Sequence, residues 1–390
     1  MNEKAKRLFL KDFVKSESAI DELIIYSKNK FINTNKKHSP LNDEFIKTWE
    51  SYYNESKKIG AFETLKKHFV QLQYPVKTGI SQTEDYTNTT LKGKQKLNKD
   101  SLKLNHPDLI SLKVYESTMG DKIPVIIVPN DDDFNTIICA LSNKNEPKEL
   151  PNSMGALFIN GINNWHRITK LKTNWLKSNL LGNWNEEFKK NILPNPDLFK
   201  DKLIVLSTKA YSGVKSECIG VPTSTWKSLS LIIRQEHECT HLFTLQQYGC
   251  MANNIHDEIV ADYAGITKIL GQFNKKWFLH FMGLESYPNY REGGRLQNYQ
   301  APLKLSQEAF DGLKIIVKKV TDTIFSFDTA LGRIANDHDG LERIMSICEV
   351  DIITMASPKG VEKLLDRYHG KKEVKEVKEV KEVKEITVSC

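Results

Sequence analysis

Cysteine is scarce in this chain of 390 residues, which limits the kinds of site that it can contain. Six cysteines are present, and no two of them have the Cys-x-x-Cys spacing. We therefore expect neither a disulfide framework nor a cysteine-rich zinc site. The low cysteine content also fits a reducing compartment.

Long apolar runs are lacking as well. The stretch Ile123–Pro129 (IPVIIVP) is among the longest, whereas a membrane-spanning helix needs roughly 20 apolar residues. The first residues, MNEKAKRLFLKDF, lack the apolar core of a signal peptide. We therefore expect no membrane span and, by default, a cytoplasmic location.

The net charge of +7 comes entirely from the first quarter of the chain. Residues 1–105 contain 20 Lys+Arg and 13 Asp+Glu, whereas residues 106–390 contain 36 of each. The densest part, Leu91–Lys103, has five lysines but no arginine or aromatic residue. Nucleic-acid binders usually combine lysine with arginine or stacking aromatics. A solvated linker is the favoured interpretation, contact with an anionic partner is the alternative, and nucleic acid is not an expected partner.

Hydrophobic periodicity and composition divide the chain into segments. Residues 1–105 form a basic, helical accessory region that ends in a polar linker, 76–105. Residues 106–250 combine a β-rich part with a long helix, and residues 251–370 are mainly helical. Residues 371–390 are a low-complexity tail with a Lys-Glu-Val repeat. Helices, then strands, then helices indicate an α+β fold rather than alternating βαβ units.

Short β-branched segments predict strands, and amphipathic patterns predict helices. The predicted strands are Leu109–Glu116, Ile123–Val128, Thr136–Leu141, Met154–Ile159 and Leu203–Ser207. In the C-terminal part, a long helix is predicted to follow an N-cap at Thr223 or Ser224 and to end near Gly249. A second helix is predicted from about Asp257 to Leu270. Further helices are predicted at 274–282, 306–326, 340–356 and 358–369.

One motif indicates chemistry: residues 237–241 read His-Glu-Cys-Thr-His, a His-Glu-x-x-His pattern inside the long helix. Because residues four apart share a helix face, His237 and His241 can bind one tetrahedral ion at about 2.0–2.1 Å. Glu238 then lies beside that ion, where a base for a metal-bound water belongs. The alternative is a charged helix face or a buried histidine pair without metal.

A catalytic zinc normally has a third protein ligand and leaves a fourth position for water. Glu258 follows His241 by 17 residues, with Gly249 as a turn between two helices. Asp262 lies one turn after Glu258 and can accept the second ring N–H of a zinc-bound histidine. His256 is the alternative third ligand, but helix-face geometry favours Glu258.

The order His-Glu-x-x-His, a turn, then [Asn/Asp]-Glu-x-x-[Ser/Ala]-Asp-x-x-Gly resembles the gluzincins, the thermolysin-like metallopeptidases. Residues 257–265 (DEIVADYAG) fit this pattern position by position, and the resemblance covers residues 237–265. The same residues are similar to an uncharacterised family of bacterial proteins. The resemblance implies one Zn²⁺ per chain. Its metal ligands would be His237, His241 and Glu258. Glu238 would be the general base, and Asp262 the hydrogen-bond partner of a ligand histidine.

The implied reaction is hydrolysis of a peptide or protein substrate by a metal-activated water. Zinc lowers the pKa of its water towards about 7, and Glu238 carries the proton to the leaving amine. A further donor should stabilise the oxyanion, and no motif identifies it. The candidates are Tyr290, Arg291, Arg295, His280 and Tyr211.

Fold analogy with that group implies a small β-sheet that flanks the active-site helix, with Leu203–Ser207 as a candidate edge strand for an extended peptide. Two other functions stay open. The zinc site could hydrolyse a non-peptide amide or another small substrate. Alternatively, the chain is a non-catalytic binding protein with a structural zinc, in which lysines 92–103 contact an anionic partner.

Overall fold

The structure is a computed structural model, and it describes residues 1–31, 41–94, 101–120, 122–151, 154–300 and 304–370. The predicted Lys-Glu-Val tail, 371–390, and the middle of the lysine-rich segment, 95–100, lie outside the described residues. Within the described parts, no helix combines the length and apolarity that crossing a membrane requires.

The described residues form many helices and one small sheet. The helices are α1 (Glu3–Leu10), α2 (Glu17–Tyr26), α3 (Asp43–Ile59), α4 (Ala61–His68), α5 (Glu84–Thr90), α6 (Asp131–Ser142), α7 (Trp165–Ser178), α8 (Trp184–Glu187), α9 (Ser216–Ile219), α10 (Thr223–Tyr248), α11 (Ile255–Leu270), α12 (Lys275–Met282), α13 (Gln307–Leu331), α14 (Asp337–Glu349) and α15 (Ile352–Ala356). Residues 360–370 are also helical. The strands are β1 (Ser111–Glu116), β2 (Lys122–Val128), β3 (Ala156–Asn163) and β4 (Lys200–Ser207).

The fold is α+β, as predicted, with a four-stranded sheet in the order β1-β2-β4-β3. β1 pairs antiparallel with β2, β2 pairs parallel with β4, and β4 pairs antiparallel with β3. The prediction that Leu203–Ser207 is an edge strand is wrong, because β4 lies between two partners that use both of its hydrogen-bonding sides. A peptide cannot add to it as a further strand.

Four of the five predicted strands are confirmed in place, and Thr136–Leu141 is not a strand. This segment forms the end of α6. The Asn130 side chain caps the helix by accepting from the Asp133 backbone N–H. Three aspartates in the first turn favour the helix N-terminus electrostatically. The apolar residues that follow pack their helical face into the core, which outweighs their β propensity.

Three smaller predictions differ from the structure. The helix predicted at 340–356 is two helices, because Asp351 caps α15 and ends the continuous pattern. The segment predicted as a linker contains α5, in which Tyr86 is buried. The long helix α10 begins one or two residues earlier than expected, at Thr223, because its N-cap is Pro222, which provides no side-chain cap.

The chain divides into two compact units. Unit 1 contains the described residues of Met1–Ser39 and Tyr211–Cys390, and unit 2 is Pro40–Ala210. The boundaries between these units, near residues 39 and 210, differ from the predicted boundaries near 105 and 250. The physical reason is that α1 and α2 pack within unit 1, next to the C-terminal helices, a long-range arrangement that local composition does not reveal.

Each unit has its own core. In unit 2, one face of the sheet packs with α3, α4 and α6 around Trp49, Phe134 and Val205, which are fully buried. In unit 1, α10 and α11 form a tight antiparallel pair, α14 packs against α11, and α13 packs with α15 and α2. The His-Glu-x-x-His motif lies in the middle of α10, so the predicted site belongs to unit 1 alone.

Candidate metal centre

The motif lies on a helix that the protein surrounds. Every residue of α10 from Ile233 to Thr244 is buried, so this turn of the helix is not a solvated charged face. α10 ends at Gly249, which takes a left-handed conformation with φ 72°. α11 begins after Asn254, whose side chain accepts from the backbone N–H groups of His256 and Asp257.

A glycine allows the two helices to approach closely. A Cβ at Gly265 of α11 would lie 2.8 Å from the backbone oxygen of Ile233 in α10. The absence of that carbon lets the helix backbones pass in direct contact. This approach brings the first turns of α11, with Glu258 and Asp262, against the two histidines of α10.

The three predicted ligands come together in the structure. His237 Nε2 lies 3.2 Å from His241 Nε2 and 3.3 Å from Glu258 Oε2, and His241 Nε2 lies 3.7 Å from Glu258 Oε1. These three residues form the group of described side chains that could hold a metal ion. A tetrahedral zinc with bonds of about 2.0–2.1 Å separates its ligands by about 3.3–3.4 Å. The two distances from His237 Nε2 are close to that separation, and the distance from His241 Nε2 to the other Glu258 oxygen is somewhat longer.

Asp262, Tyr211 and Arg295 fix the orientation of His237. The Asp262 Oδ1 atom lies 2.9 Å from His237 Nδ1 and accepts from the Tyr211 hydroxyl at 2.6 Å. Arg295 donates to the Tyr211 oxygen at 2.8 Å and, through its other terminal nitrogen, to Asp262 Oδ2. The Tyr211 hydroxyl donates to Asp262, so Asp262 is an ionised carboxylate that can only accept. His237 Nδ1 must therefore carry the proton of its hydrogen bond to Asp262. Nε2 is then the nitrogen that faces Glu258, and it could bind a metal after giving up its proton.

His241 faces a carboxylate that the sequence analysis did not assign. Its Nδ1 atom lies 3.4 Å from Asp257 Oδ2, which is longer than an ordinary hydrogen bond. Asp257 is itself held by the backbone N–H of Asn253 at 3.2 Å and approached by the Thr244 hydroxyl at 3.5 Å. Each histidine thus has its own carboxylate behind it. The signal was the [Asn/Asp] position of the matched pattern, directly before Glu258.

The carboxylates shift the pKa values of the ligands. Burial lowers the pKa of His241, but the charge and hydrogen bonding of Asp257, together with the charges of Glu258 and Glu238, outweigh burial and raise this pKa to about 10. Burial also lowers the pKa of His237, and the hydrogen bonds to Asp262 and Glu258 reverse that effect. Burial raises the pKa of Glu258, whereas His237 and the other nearby cations lower it to about 2. The site therefore carries a negative potential that attracts cations.

Glu238, the predicted general base, lies beside this cluster without a protein partner. It is 8% exposed, and within the described residues its carboxylate forms no hydrogen bond or ion pair. Its charge helps to raise the pKa of His241, so the two groups are close. The Glu238 oxygens are not among the buried described atoms that lack a partner, so this carboxylate reaches solvent and is open to water or a ligand.

Arg295 and Tyr211 are the two oxyanion-donor candidates that the structure brings to the cluster. The other three lie in or near the loop after α12. Tyr290 donates to the Gly294 carbonyl at 2.7 Å, and Arg291 donates to Glu285 at 2.5 Å and to the His280 carbonyl at 2.7 Å. These bonds stabilise the loop and do not reach the metal ligands.

Two further residues complete the picture of the site. Tyr299, which no motif identified, lies close to Glu258, and burial raises the pKa of Tyr299 well above the ordinary value. The Arg295 guanidinium lies over the Tyr299 ring, 5.8 Å from its centroid. His256, the alternative third ligand, instead has its Nε2 atom 2.9 Å from the Ile347 carbonyl, so it faces away from the two histidines.

Comparison with known proteins places the whole site within one family. A model described as "Family of unknown function (DUF7005)" matches residues 8–359. The chain belongs to this family. Both helices of the metal cluster, and every predicted site residue, lie inside the part matched by the DUF7005 model. No curated protein and no solved structure matches the chain.

Proposed function

We propose that this protein is a zinc-dependent hydrolase, most simply a peptidase of gluzincin type, acting on a peptide or protein substrate. The observation that carries the proposal is the arrangement of His237, His241 and Glu258. The ligand atoms of the three residues lie within 4.8 Å of one another, and a carboxylate lies behind each histidine. A chance histidine pair on a helix does not require either feature.

The donor set fits zinc. Two imidazole nitrogens and one carboxylate oxygen form a common catalytic zinc set, with water in the fourth position. Structural zinc sites are instead closed by four protein ligands. Among the described residues the cluster offers three ligands, and the partner-free carboxylate of Glu238 lies beside them. This favours a catalytic site over the purely structural zinc of the binding-protein alternative.

A bound zinc ion would lower the pKa of a coordinated water towards about 7 and polarise the carbonyl of the scissile bond. The protein supplies the remaining groups. Glu238 accepts a proton from the attacking water and returns it to the leaving amine. Asp262, with Tyr211 and Arg295, holds His237 in the tautomer that binds metal.

Tyr299 is the residue best placed to donate to a developing oxyanion. Its side chain lies close to Glu258, and therefore next to the metal ligands. Tyr211 and Arg295 are instead committed to Asp262. A single oxyanion donor typically contributes about 2.7–4 kcal/mol to catalysis, so loss of the Tyr299 hydroxyl would lower turnover and leave metal binding in place.

Metal content is the experiment that tests the site. The full chain is purified, reconstituted with zinc, passed through a chelating resin and analysed by mass spectrometry beside His241→Ala and Glu258→Gln. His106→Ala, which removes an exposed histidine of unit 2, is the control. We expect about one zinc per chain in the wild type and the control, and loss of zinc in the two site variants. A wild type that retains no zinc overturns the proposal.

The reaction is tested separately, by product profiling of a peptide library and a panel of small amides with the zinc-loaded chain. Zinc-dependent peptide cleavage that Glu238→Gln abolishes supports a peptidase. Turnover of small amides without peptide cleavage moves the substrate to the non-peptide class. Stoichiometric zinc with no hydrolysis of either panel assigns the ion a structural role and contradicts the hydrolase.

A further inference from the structure

The turn between α7 and α8 in unit 2 presents two leucines to solvent. Leu180 is 86% exposed and Leu181 is fully exposed, at 103%. Single exposed leucines are common on proteins, but two adjacent leucines at the tip of a helical hairpin form a protruding apolar point. We call this point, Leu180 and Leu181, the leucine tip.

The turn that carries the leucine tip is well built. The Gly182 N–H donates to the Asn179 carbonyl at 2.9 Å, and the Asn179 side chain donates to the Trp175 carbonyl at 2.9 Å. A Cβ on Gly182 would lie 2.2 Å from the Trp175 ring, so only glycine lets the turn close against that ring. The backbone therefore holds both leucines outward, and a partner would not have to order the turn.

Aromatic side chains lie directly behind the leucine tip. The rings of Trp175 and Trp184 meet edge to face with centroids 5.9 Å apart, and Phe188 follows at 6.0 Å from Trp184. Both tryptophans are half-buried. Tryptophan side chains that have one end in water and the other in an apolar environment are enriched at the boundary between lipid and water.

Lysines flank the leucine tip along the chain. Lys172 and Lys177 of α7, with Lys189 and Lys190 after α8, are exposed, and none of the four forms an ion pair with the described residues. The two acidic residues of the hairpin, Glu186 and Glu187, leave the tip with a net positive charge. Lysines beside exposed apolar side chains attract the anionic headgroups of a bilayer.

We propose that the leucine tip attaches the protein peripherally to an anionic lipid surface, with Leu180 and Leu181 inserted below the headgroups and the lysines above them. A protein groove is the less favoured partner. Peptide grooves bind a helix face with anchors at i, i+3, i+4 and i+7, whereas this tip offers two neighbouring residues on a turn. The inference concerns unit 2 and does not depend on the proposed metal chemistry.

Vesicle flotation of the full chain tests the proposal. The vesicles are phosphatidylcholine with or without phosphatidylglycerol, and the variants are the Leu180→Ser/Leu181→Ser double mutant and a Lys177→Gln/Lys190→Gln double mutant. Leu8→Ser is the matched control, because Leu8 is a 70% exposed leucine elsewhere in the chain. Since all these side chains are exposed, we expect the variants to keep the thermal stability of the wild type.

We expect binding to the anionic vesicles, with a blue shift of tryptophan emission, and much weaker binding to neutral ones. The serine double mutant should lose affinity by roughly tenfold or more, the lysine double mutant should lose the preference for anionic lipid, and Leu8→Ser should bind as the wild type does. No flotation, or flotation that the serine mutant retains in full, overturns the proposal. Self-association that only the serine mutant abolishes would assign the tip to a second copy of this chain instead.

Discussion

Charge balance around the two histidines is consistent with the proposed cation. Three buried carboxylates, Asp257, Glu258 and Asp262, lie within reach of the imidazoles, and the Arg295 guanidinium pairs with Asp262. Uncompensated buried charge is costly. Without metal, protons on the histidines supply the missing positive charge, which is why their pKa values lie above the ordinary range. A divalent cation can replace those protons.

Glu238→Gln separates metal binding from catalysis. The amide keeps the size of the side chain but cannot accept a proton, and Glu238 is not one of the three ligands. We expect stoichiometric zinc and turnover lowered by at least about 100-fold. Turnover is measured on the best substrate of the library, and zinc by mass spectrometry of the same sample. Unchanged turnover would remove Glu238 from the mechanism while leaving the metal site intact.

Asp262→Asn tests whether the carboxylate behind His237 tunes the metal. An asparagine can still fill the space, but it cannot accept from both His237 and Arg295 with a full negative charge. Loss of such a partner typically lowers metal affinity by about 10–100-fold, and we expect that range in a competitive titration with a chelator. Asp311→Asn, on an exposed side chain of α13, is the control and should bind zinc as the wild type does.

At the scale of single residues, the sequence predicted which side chains form the cluster better than it predicted their neighbours. Helical periodicity places His237 with His241 and Glu258 with Asp262 on shared helix faces, and the resemblance to the gluzincin pattern joined the two pairs. Tyr299 could not be predicted, since its position depends on the path of the loop between α12 and α13. The same holds for the choice of Arg295 over Arg291, four residues earlier in that loop.

At the scale of helices, the site depends on how closely α10 and α11 approach. Gly265→Ala would place a methyl group 2.8 Å from the Ile233 oxygen and 2.9 Å from its Cγ2, which forces the helices apart. We expect the free energy of unfolding to fall by about 1–3 kcal/mol and the zinc affinity to fall with it. Chemical denaturation and chelator competition measure the two effects.

Gly340→Ala is the matched control for this substitution. Gly340 also lies inside a helix, α14, but a Cβ there would make an ordinary contact of 3.5 Å with Ile334. Alanine should be neutral there or stabilise by up to about 1 kcal/mol, because it lowers the entropy of the unfolded chain. Equal losses from both substitutions would show that the approach of α10 and α11 is not the cause.

Helix and strand predictions failed where a cap or a distant partner decided the outcome. Thr136–Leu141 has strand-like composition, yet the cap at Asn130, six residues upstream, commits the segment to α6. Leu203–Ser207 was correctly predicted as a strand. Its position between β2 and β3 follows from pairing across the chain, and no local pattern contains that information.

At the scale of the whole molecule, unit 1 is closed by contacts between residues far apart in sequence. The Glu308 carboxylate accepts from the backbone N–H groups of Lys15 and Ser16 at 2.7 and 3.0 Å. Lys6 of α1 pairs with Asp351 at 2.9 Å. The first helices are therefore part of the unit that holds the metal cluster, although the sequence grouped them with a basic accessory region.

The Lys6–Asp351 pair leads to a pH-dependent stability. Burial raises the pKa of Asp351, but Lys6 and Thr354 outweigh burial, so its pKa in the folded state lies below the ordinary value. A lowered pKa means that the folded state favours the carboxylate. The contribution is then complete above the unfolded pKa of about 3.9 and is lost as the pH falls through the folded pKa.

Asp351→Asn keeps the helix cap of α15 and removes the charge. We expect the variant to be less stable by about 1–2 kcal/mol at neutral pH, with the difference from wild type shrinking below about pH 4. Urea denaturation at several pH values measures this. Asp366→Asn, which removes an exposed partner of Lys363, should show a much smaller difference at every pH. A difference for Asp351→Asn that is constant with pH would show that the carboxylate charge is not its source.

Zinc should stabilise one unit selectively, since all three ligands come from α10 and α11 of unit 1. A ligand at 100 times its Kd stabilises the state that binds it by about 2.7 kcal/mol. We therefore expect added zinc to slow amide hydrogen exchange in α10 and α11, with little change in β2 and β4 of unit 2. His241→Ala should abolish the slowing in both helices. If added zinc slows exchange first in the sheet, the tightest metal site lies outside the cluster. The reason is that a bound metal protects only those segments whose opening requires the metal to dissociate.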